Sequence, residues 1–402
     1  MTWQRPARGP VAQKIYAEAE KDRADNPQRY RFDPDAVAER ATRRGEFPAT
    51  LFADGWAEGL REYLGSAEQD GRLNAVGAKM ALQSATGRLT AGARIIRYLN
   101  DNPAVPELTP PIVIIGGWRT GTTFLYRLLG TDPRLHAPLP AELAAPWLFT
   151  EPDHPPAAEI SATASQLLHT LNPDMAIVHP SGPALPEECV LGMGTDLRNW
   201  GLTSMMRLPS YAGWLAAQDF TGTYARYREV LQLLATHDDR RFVLKAPAHT
   251  AELDHLIDTF PGLVVVQIHR DIVSTLTSGA SLFAVYRSTY SDDVDPIEVG
   301  RAQVNQSELW FRRAIEARER APAQAATFLD IDYQDLVSSP KGALQKVYSA
   351  AGMATPEDLD AFLGDHNRAH PRDAHGTHRY TAEEFGIVAD EIRERFSFLQ
   401  YR

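Results

Sequence analysis

A glycine-rich segment at residues 116–123 carries the residue types needed to hold a bound anion. Its members are Gly116, Gly117, Trp118, Arg119, Thr120, Gly121, Thr122 and Thr123. Glycines let backbone N–H groups turn toward one point, Arg119 adds a fixed positive charge, and the threonine hydroxyls can donate hydrogen bonds. A helix starting behind the loop would add the positive end of its dipole. We therefore expect an anion-binding loop, with an ordinary strand-to-helix turn capped by threonines as the simpler alternative.

This segment departs from the loop that binds nucleoside triphosphates with magnesium. That loop needs a lysine directly after its final glycine and a Ser or Thr that holds the metal. Here Thr122 follows Gly121, and the cation, Arg119, lies two positions before that glycine. The pattern predicts a site in which side chains alone neutralise the anion, and we expect no metal.

Further polar residues follow apolar runs later in the chain. Arg270 comes two positions after the run at residues 263–268, and Ser278 lies eight positions beyond Arg270 on a predicted helix. A strand-end arginine and a helix serine at this spacing can converge on one phosphate. Lys245 directly follows the run at residues 241–244, at the edge where parallel sheets bind ligands. A capped helix start and a snorkelling lysine are the alternatives for these segments.

Short apolar runs alternate with helix-like segments over much of the chain. The predicted strands are residues 112–115, 241–244, 263–268 and 326–331, followed by helices at residues 123–129, 250–259, 272–283 and 341–351. This alternation predicts an α/β fold with a central parallel sheet covered on both faces.

Two parts of the chain depart from this alternation. Residues 1–108 show helical spacing of apolar residues, at residues 13–24, 54–64 and 73–99. We expect them to form an N-terminal helical region that caps the substrate side. The α/β domain would then occupy residues 109–402, with a helical, loop-rich insertion at about residues 140–235.

The composition of the 402-residue chain is globular, with 44% hydrophobic and 23% charged residues. The net charge, 41 − 52 = −11, disfavours a nucleic-acid partner. Cys189 is the only cysteine, which excludes an intramolecular disulfide and a cysteine-rich metal centre. No apolar run approaches the ~18–20 residues that span a bilayer, and the N-terminus resembles no signal peptide. We expect no stable membrane insertion and a cytoplasmic location; the oligomeric state is open, a homodimer included.

The segment Arg119-Thr120-Gly121-Thr122-Thr123-Phe124 resembles the donor loop of sulfotransferases that use 3′-phosphoadenosine 5′-phosphosulfate (PAPS). That loop reads Lys or Arg, Ser or Thr, Gly, Thr, Thr, then an aromatic or aliphatic residue. The family also binds the 3′-phosphate through an Arg, seven intervening residues and a Ser, the spacing of Arg270 and Ser278. The resemblance covers roughly residues 110–400. It implies a P-loop-like three-layer fold, PAPS as donor, PAP as product and no metal.

The resemblance also implies roles for individual residues. Residues 118–124 would contact the donor, with Phe124 where cytosolic relatives keep a tryptophan near the adenine. Lys245 would stabilise the oxygen that bridges sulfur and phosphorus, and Arg379 would close over the 3′-phosphate from a C-terminal loop. Residues 332–336 resemble the family's Tyr-Glu-Asp-Leu element, to which we assign a structural role.

A base is needed to take the proton of the acceptor hydroxyl. The segment Pro186-Glu187-Glu188-Cys189 resembles an element that carries this base in bacterial sulfotransferases, and it singles out Glu188. If the segment is helical, the side chain of Glu187 would point away from that of Glu188. The alternative is structural, since acidic residues after a proline at a helix start also complement the helix dipole. His249 is a second candidate, since cytosolic relatives use a histidine near the corresponding strand. Glu188, Glu187 and His249 therefore stay open as the base.

The predicted function is transfer of a sulfuryl group from PAPS to a hydroxyl of a small-molecule or lipid acceptor. Apolar residues in the insertion fit a lipid or aromatic alcohol, but they also fit an ordinary core. A kinase-like phosphotransferase that uses magnesium and ATP, or a nucleotide-binding module without catalysis, are the alternatives.

Overall fold

A single all-parallel sheet lies at the centre of the fold. The computed structural model describes residues 3–369 and 379–399. Five strands pair in the order β2-β3-β1-β4-β5. They are β1 (Ile112–Gly116), β2 (Leu135–His136), β3 (Arg241–Lys245), β4 (Leu263–His269) and β5 (Ala326–Asp332). The predicted α/β fold with a parallel sheet is confirmed, and the two-residue β2 adds an edge strand that the sequence did not predict.

Helices surround this sheet and form the N-terminal region and the insertion. Within the described residues they are α1 (Pro10–Asp25), α2 (Pro34–Gly45), α3 (Trp56–Gln69), α4 (Ala75–Asp101), α5 (Thr122–Leu129), α6 (Pro140–Ala144), α7 (Ala157–Leu171), α8 (Met175–Val178), α9 (Gly201–Met205), α10 (Pro209–Leu215), α11 (Thr221–Leu234), α12 (Leu253–Thr259), α13 (Ile272–Tyr290), α14 (Pro296–Arg320), α15 (Tyr333–Ser338), α16 (Pro340–Ala350), α17 (Leu359–Ala369) and α18 (Ala389–Arg395).

Two apolar cores cover the two faces of the sheet. Side chains alternate along a strand, so Ile112 and Ile114 of β1 face one core while Val113 and Ile115 face the other. Helices α5 and α16 pack in the first core. The second core contains residues of the N-terminal helices, the insertion, α13 and α14. All of β1 is buried, as expected for a central parallel strand.

Several predicted helices differ from those in the structure. The segment predicted as a helix at residues 250–259 divides into a 3₁₀ turn, Pro247–Thr250, and α12. The helix predicted to end at Phe283 continues to Tyr290. The 25-residue α14 was not predicted, because polar Gln303 and Ser307 lie on its buried face and obscure the apolar spacing. In the described part of the chain, no helix combines the length and apolarity needed to cross a bilayer.

Candidate donor and acceptor sites

The glycine-rich loop joins β1 to α5 in a conformation that its residue types explain. Gly121 has φ +90°, and an added Cβ would lie 3.0 Å from a Leu336 side-chain atom, so glycine is required there. Arg119 has φ +62°, a left-handed conformation that is uncommon for a residue with a Cβ. Residues held in this region cluster at ligand-binding sites.

The two anion-binding segments predicted from the sequence face one cavity of about 380 Å³, here called the basic cavity. Its walls contain Trp118, Arg119, Gly121, Thr122, Thr123, Phe124, His179, Glu188, Pro247, Arg270, Ser278, Leu282, Tyr333 and Tyr380. Arg270 Nη1 donates a hydrogen bond to the carbonyl oxygen of Arg119 at 2.7 Å. Residues 151 positions apart thus share one site.

The two arginines give the basic cavity its charge. Arg119 Nη1 donates to the carbonyl oxygen of Val178 at 2.6 Å. Burial of the Arg119 guanidinium, together with the charge of Arg270 nearby, lowers its pKa. The guanidinium carbon of Arg270 lies 4.6 Å from the ring centre of Tyr333, in a cation–π contact. A bound anion would compensate both charges.

The C-terminal segment reaches the same cavity through a tyrosine. Tyr380 donates a hydrogen bond from its hydroxyl to Ser278 Oγ at 2.8 Å, and both residues line the cavity. Arg379, predicted to close over the phosphate, is exposed and is not part of the cavity wall. Its role in donor binding stays a prediction.

A buried ion pair lies at the end of β3. Lys245 is only 1% exposed, and its Nζ donates to Glu188 Oε1 at 2.7 Å. The backbone N–H of Lys245 contacts Cys189 Sγ at 3.3 Å. Lys245 itself is not among the residues that line the basic cavity, whereas Glu188 is. The carboxylate of Glu188 therefore links the buried ammonium to the cavity.

The backbone at Glu187 and Glu188 is not helical, contrary to the geometry on which we expected Glu187 to diverge. Glu188 has an extended conformation and precedes a 3₁₀ turn, Cys189–Leu191. Its N–H donates to Glu187 Oε1 at 2.8 Å, and His179 Nε2 lies 3.6 Å from that oxygen. Burial by itself would raise the pKa of Glu187, but His179 and Lys245 lower it to about 2.

A second cavity, of about 460 Å³ and mostly apolar, adjoins the first and is here called the apolar cavity. It runs between α4, α6, α7, α9 and α13. Both Glu187 and Glu188 line it. The residues common to the two cavities are Trp118, His179, Glu188 and Leu282. A carboxylate and an imidazole therefore lie where an apolar ligand and a bound anion would meet.

Two residues predicted to contact the donor or acceptor are directed elsewhere. His249 is 0% exposed and lines neither cavity; its Nδ1 lies 2.8 Å from the hydroxyl of Tyr224. Burial lowers the pKa of His249 to about 3. The hydroxyl of Thr120 donates to the carbonyl oxygen of Gly117 at 2.8 Å, inside its own loop.

Sequence reasoning missed five residues that line the basic cavity: His179, Pro247, Leu282, Tyr333 and Tyr380. His179 lies in a segment with no motif that points to a site, whereas Tyr380 directly follows Arg379, which we expected to close over the 3′-phosphate. Tyr333 had a usable signal, since it directly follows β5 at the ligand-binding edge of the sheet. It was assigned a structural role, yet it forms part of the cavity wall.

Among the described residues, Glu252, Asp254 and His255 have ligand atoms close enough to share a metal ion. These side chains already pair with one another and with neighbours. Glu252 Oε1 accepts hydrogen bonds from Trp200 and Arg313, each at 2.8 Å. The cluster is explained by these contacts and lies outside both cavities.

A comparison with protein families decides the assignment that this geometry suggests. The model described as "Sulfotransferase family" matches residues 110–357, more than half of the chain. The chain belongs to the sulfotransferase family. It is therefore a sulfotransferase, as the donor-loop resemblance predicted, and the fold class agrees with that of its structural neighbours.

Mycobacterial proteins are among the relatives of this sulfotransferase. Omega-hydroxy-beta-dihydromenaquinone-9 sulfotransferase Stf3 of Mycobacterium bovis is 25% identical over 309 residues, which are 72% of this chain and 75% of the relative. The crystal structure of sulfotransferase STF1 from Mycobacterium tuberculosis has a TM-score of 0.72 and 26% identity, covering 91% of this chain and 98% of that one. STF9 from Mycobacterium avium shares the fold, with a TM-score of 0.75, 22% identity and coverage of 90% and 95%.

Proposed function

We propose that this sulfotransferase takes PAPS in the basic cavity and transfers its sulfuryl group to the hydroxyl of an apolar, lipid-like alcohol in the apolar cavity. The observation that carries the proposal is that the two cavities meet at Glu188. A long alcohol entering from the apolar side would present its hydroxyl to the carboxylate, while the sulfuryl group approaches from the basic side.

Donor binding rests on charge. PAPS carries roughly four negative charges, counting its phosphomonoester as nearly doubly ionised. Arg119 and Arg270 supply two compensating charges, and the loop N–H groups and Thr122 and Thr123 supply hydrogen-bond donors. Ser278, Tyr380 and Arg270 line the same cavity, and their two hydroxyl groups and one guanidinium could bind the 3′-phosphate. Side chains of this kind can neutralise the anion without a metal.

Transfer is an in-line displacement at sulfur. The acceptor oxygen forms a bond to sulfur as the bond from sulfur to the bridging oxygen breaks, and that oxygen leaves with PAP. Glu188 takes the hydroxyl proton. Lys245, now hydrogen-bonded to Glu188, can turn its ammonium toward the departing oxygen and stabilise the charge that develops there. Arg119 stabilises the sulfuryl oxygens.

The acceptor class follows from the wall of the apolar cavity. Leu167, Leu168 and Leu171 of α7 and Met205 of α9 line it, and burying apolar surface favours a ligand of the same character. Stf3, by its name, acts on a hydroxylated menaquinone, which is an alcohol of this class. The N-terminal helices contribute Met80 of α4 to this wall, so we assign residues 1–108 to the acceptor side.

Calorimetric titration tests the donor assignment directly. The protein is titrated with PAP, ATP and GTP, each with and without magnesium. We expect PAP to bind at least tenfold more tightly than ATP or GTP and to be unaffected by the metal. ATP binding that depends on magnesium would show a phosphotransferase instead.

A second assay tests the acceptor class. The protein is incubated with ³⁵S-labelled PAPS and a panel of alcohols that includes long-chain alcohols, hydroxylated quinones and phenols. Labelled product with the lipid-like alcohols, and little with the small polar ones, is expected. PAP binding without transfer to any alcohol of the panel would contradict the acceptor assignment while leaving the donor assignment intact.

A further inference from the structure

A third cavity, of about 490 Å³, opens on the other side of α9 from the apolar cavity and is here called the lateral cavity. The short helix α9 separates the two. Gly201, Ser204 and Met205 line the apolar cavity, whereas Thr203 and the preceding Trp200 line the lateral one. The donor and acceptor proposed above do not use this space.

The lateral cavity is cationic although the chain as a whole is acidic. Its charged lining residues are Arg207, Arg287, Arg301 and Glu298, three positive groups against one negative. Arg207 is already matched, because its Nε and Nη2 donate to the two carboxylate oxygens of Glu298 at 2.9 and 3.1 Å. Arg287 and Arg301 therefore give the lateral cavity two positive charges that Glu298 does not compensate through an ion pair.

Arg287 is the unusual member of this group. It is only 6% exposed and forms no ion pair with any residue that the structure describes. Its Nη2 donates to the carbonyl oxygen of Thr203 at 2.8 Å, and its Nε has no hydrogen-bond partner. Burial and the charge of Arg207 lower the pKa of Arg287 to about 10, although the carboxylate of Glu298 acts in the opposite direction. A buried cation without a direct ion-pair partner is costly, and an anion beside it would offset that cost.

The rest of the wall indicates what kind of anion fits. Leu208, Ala212 and Leu309 give the wall of the lateral cavity an apolar side in addition to its arginines. A bulky polyanion such as PAPS would leave this apolar side unused, whereas a compact head group with a short hydrocarbon chain would cover it. The planar guanidinium matches a carboxylate, which it can hold through two parallel hydrogen bonds.

We propose that the lateral cavity binds a small amphipathic carboxylate, with its head group on Arg287 and its chain against the apolar wall. This site is separate from the donor and acceptor sites and does not depend on the proposed transfer reaction. The ligand would also contact Thr203, whose carbonyl oxygen holds Arg287, so it would stabilise α9 and, through α9, one wall of the apolar cavity.

Calorimetry with octanoate on the full chain tests the proposal. We expect one molecule to bind with a Kd of about 1 mM or below, a free energy of about −4 kcal/mol or better. Octanol, the uncharged analogue, should bind at least tenfold more weakly than octanoate when both are titrated into Ala164→Trp, in which the apolar cavity that accepts alcohols is obstructed. Octyl sulfate and inorganic phosphate show whether the site prefers a carboxylate. Tighter binding of octyl sulfate by tenfold or more would overturn the carboxylate assignment.

Variants locate the binding. Arg287→Met keeps the length of the side chain and removes its charge, so octanoate affinity should fall at least tenfold. Gly213→Trp is a second variant that does not touch the buried arginine; Gly213 lines the lateral cavity, and an added Cβ meets no atom within 4 Å. The tryptophan should block the cavity with the fold intact, which circular dichroism and thermal unfolding check.

Two controls separate this site from the others. Saturating PAP and the variant Ala164→Trp, which obstructs the apolar cavity, should leave octanoate binding unchanged. Competition between octanoate and PAP, loss of binding in Ala164→Trp alone, or unchanged binding in both Arg287→Met and Gly213→Trp would each overturn the proposal. So would the absence of measurable octanoate binding to the unaltered protein.

Discussion

The buried ammonium of Lys245 lies 2.7 Å from Oε1 of Glu188, a residue 57 positions earlier in the chain. The carboxylate compensates a lysine that has left water, and the lysine in turn fixes the carboxylate at the junction of the two cavities. The residue proposed to take the acceptor proton and the residue proposed to stabilise the leaving oxygen are thus one hydrogen-bonded unit. A substitution of either side chain should therefore also affect the function of the other.

Substitution of Glu188 tests its role as the base. Glu188→Gln should lower kcat by about 10²- to 10⁴-fold, the usual contribution of a general base. Glutamine keeps an oxygen that can accept from Lys245, so PAP affinity and thermal stability should change little. Steady-state assays with an active alcohol and PAP calorimetry measure the two effects. Glu187→Gln is the matched control; an equal or larger loss of kcat in that variant would refute the assignment to Glu188.

The contact between Lys245 and Glu188 predicts that their effects are not additive. Lys245→Met should also lower kcat by at least about 10²-fold, because the leaving oxygen loses its stabilising charge. In the double variant the loss should be close to that of the worse single variant, since residues that act as a unit do not contribute independently. A double-mutant cycle on kcat/KM measures this coupling. Strictly additive losses would mean that the pair seen in the structure has no part in the reaction.

Donor affinity should depend on Arg270. Arg270→Ala removes a charge-assisted contact worth about 1.5–3 kcal/mol, so the Kd for PAP should rise roughly 10- to 100-fold. Calorimetry at constant salt measures it. Arg43→Ala serves as the control, since Arg43 is exposed on α2 and pairs with Glu39, four positions away on the same helix. Similar losses in the two variants would indicate a nonspecific charge effect rather than a phosphate site.

Two alanines on α7 give a matched test of the apolar cavity. Ala164 lines the cavity, whereas Ala162, also exposed and on the same helix, does not. Ala164→Trp should raise the KM for a long alcohol by about tenfold or more, an order expected when apolar contacts worth 1.4 kcal/mol or more are lost. Ala162→Trp should leave it unchanged, and neither should alter PAP affinity. If both variants behave alike, the alcohol does not occupy this cavity.

The buried His249 predicts how stability changes with pH. Its pKa of about 3 in the folded state lies below the usual value near 6.5, so between those values the unfolded chain binds the additional proton. The free energy of unfolding should therefore fall as the pH is lowered from 6.5 toward 3, by up to about 1.4 kcal/mol per pH unit from this group. Denaturant unfolding of the protein and of His249→Asn measures the difference, which should appear as a shallower slope in the variant.

The same variant separates a buried core histidine from a base. His249→Asn keeps a polar atom near the Tyr224 hydroxyl and should retain sulfotransferase activity near pH 7.5 within about tenfold, less than the loss of a general base. A loss of 10²-fold or more, with PAP binding and stability intact, would restore His249 as a candidate for the base.

The strands and the donor loop were predictable because their signals are local. Apolar β-branched runs that end in glycine or a polar residue mark buried strands, and the spacing of Arg119, Gly121 and Thr122 marks the loop. Helix α14 escaped prediction because burial of Gln303 and Ser307 breaks the periodic signal. The helix assumed at Glu187 and Glu188 is absent for a related reason, since the backbone of Glu188 is extended. Even so, Glu188 lines both cavities and Glu187 lines only the apolar one.

The amino-acid sequence by itself determined the residue types and the local conformations: a loop able to hold an anion, strand ends that carry Arg270 and Lys245, and a glutamate element in the insertion. Only the tertiary structure decided which of these face the same space. In the folded chain Arg270 contacts the backbone of Arg119, and Glu188 pairs with the buried Lys245. The side chain of His249 is buried against Tyr224. The physical reason is that hydrogen-bonding and helical preferences act over a few residues, whereas burial and charge pairing depend on contacts between segments far apart in the chain.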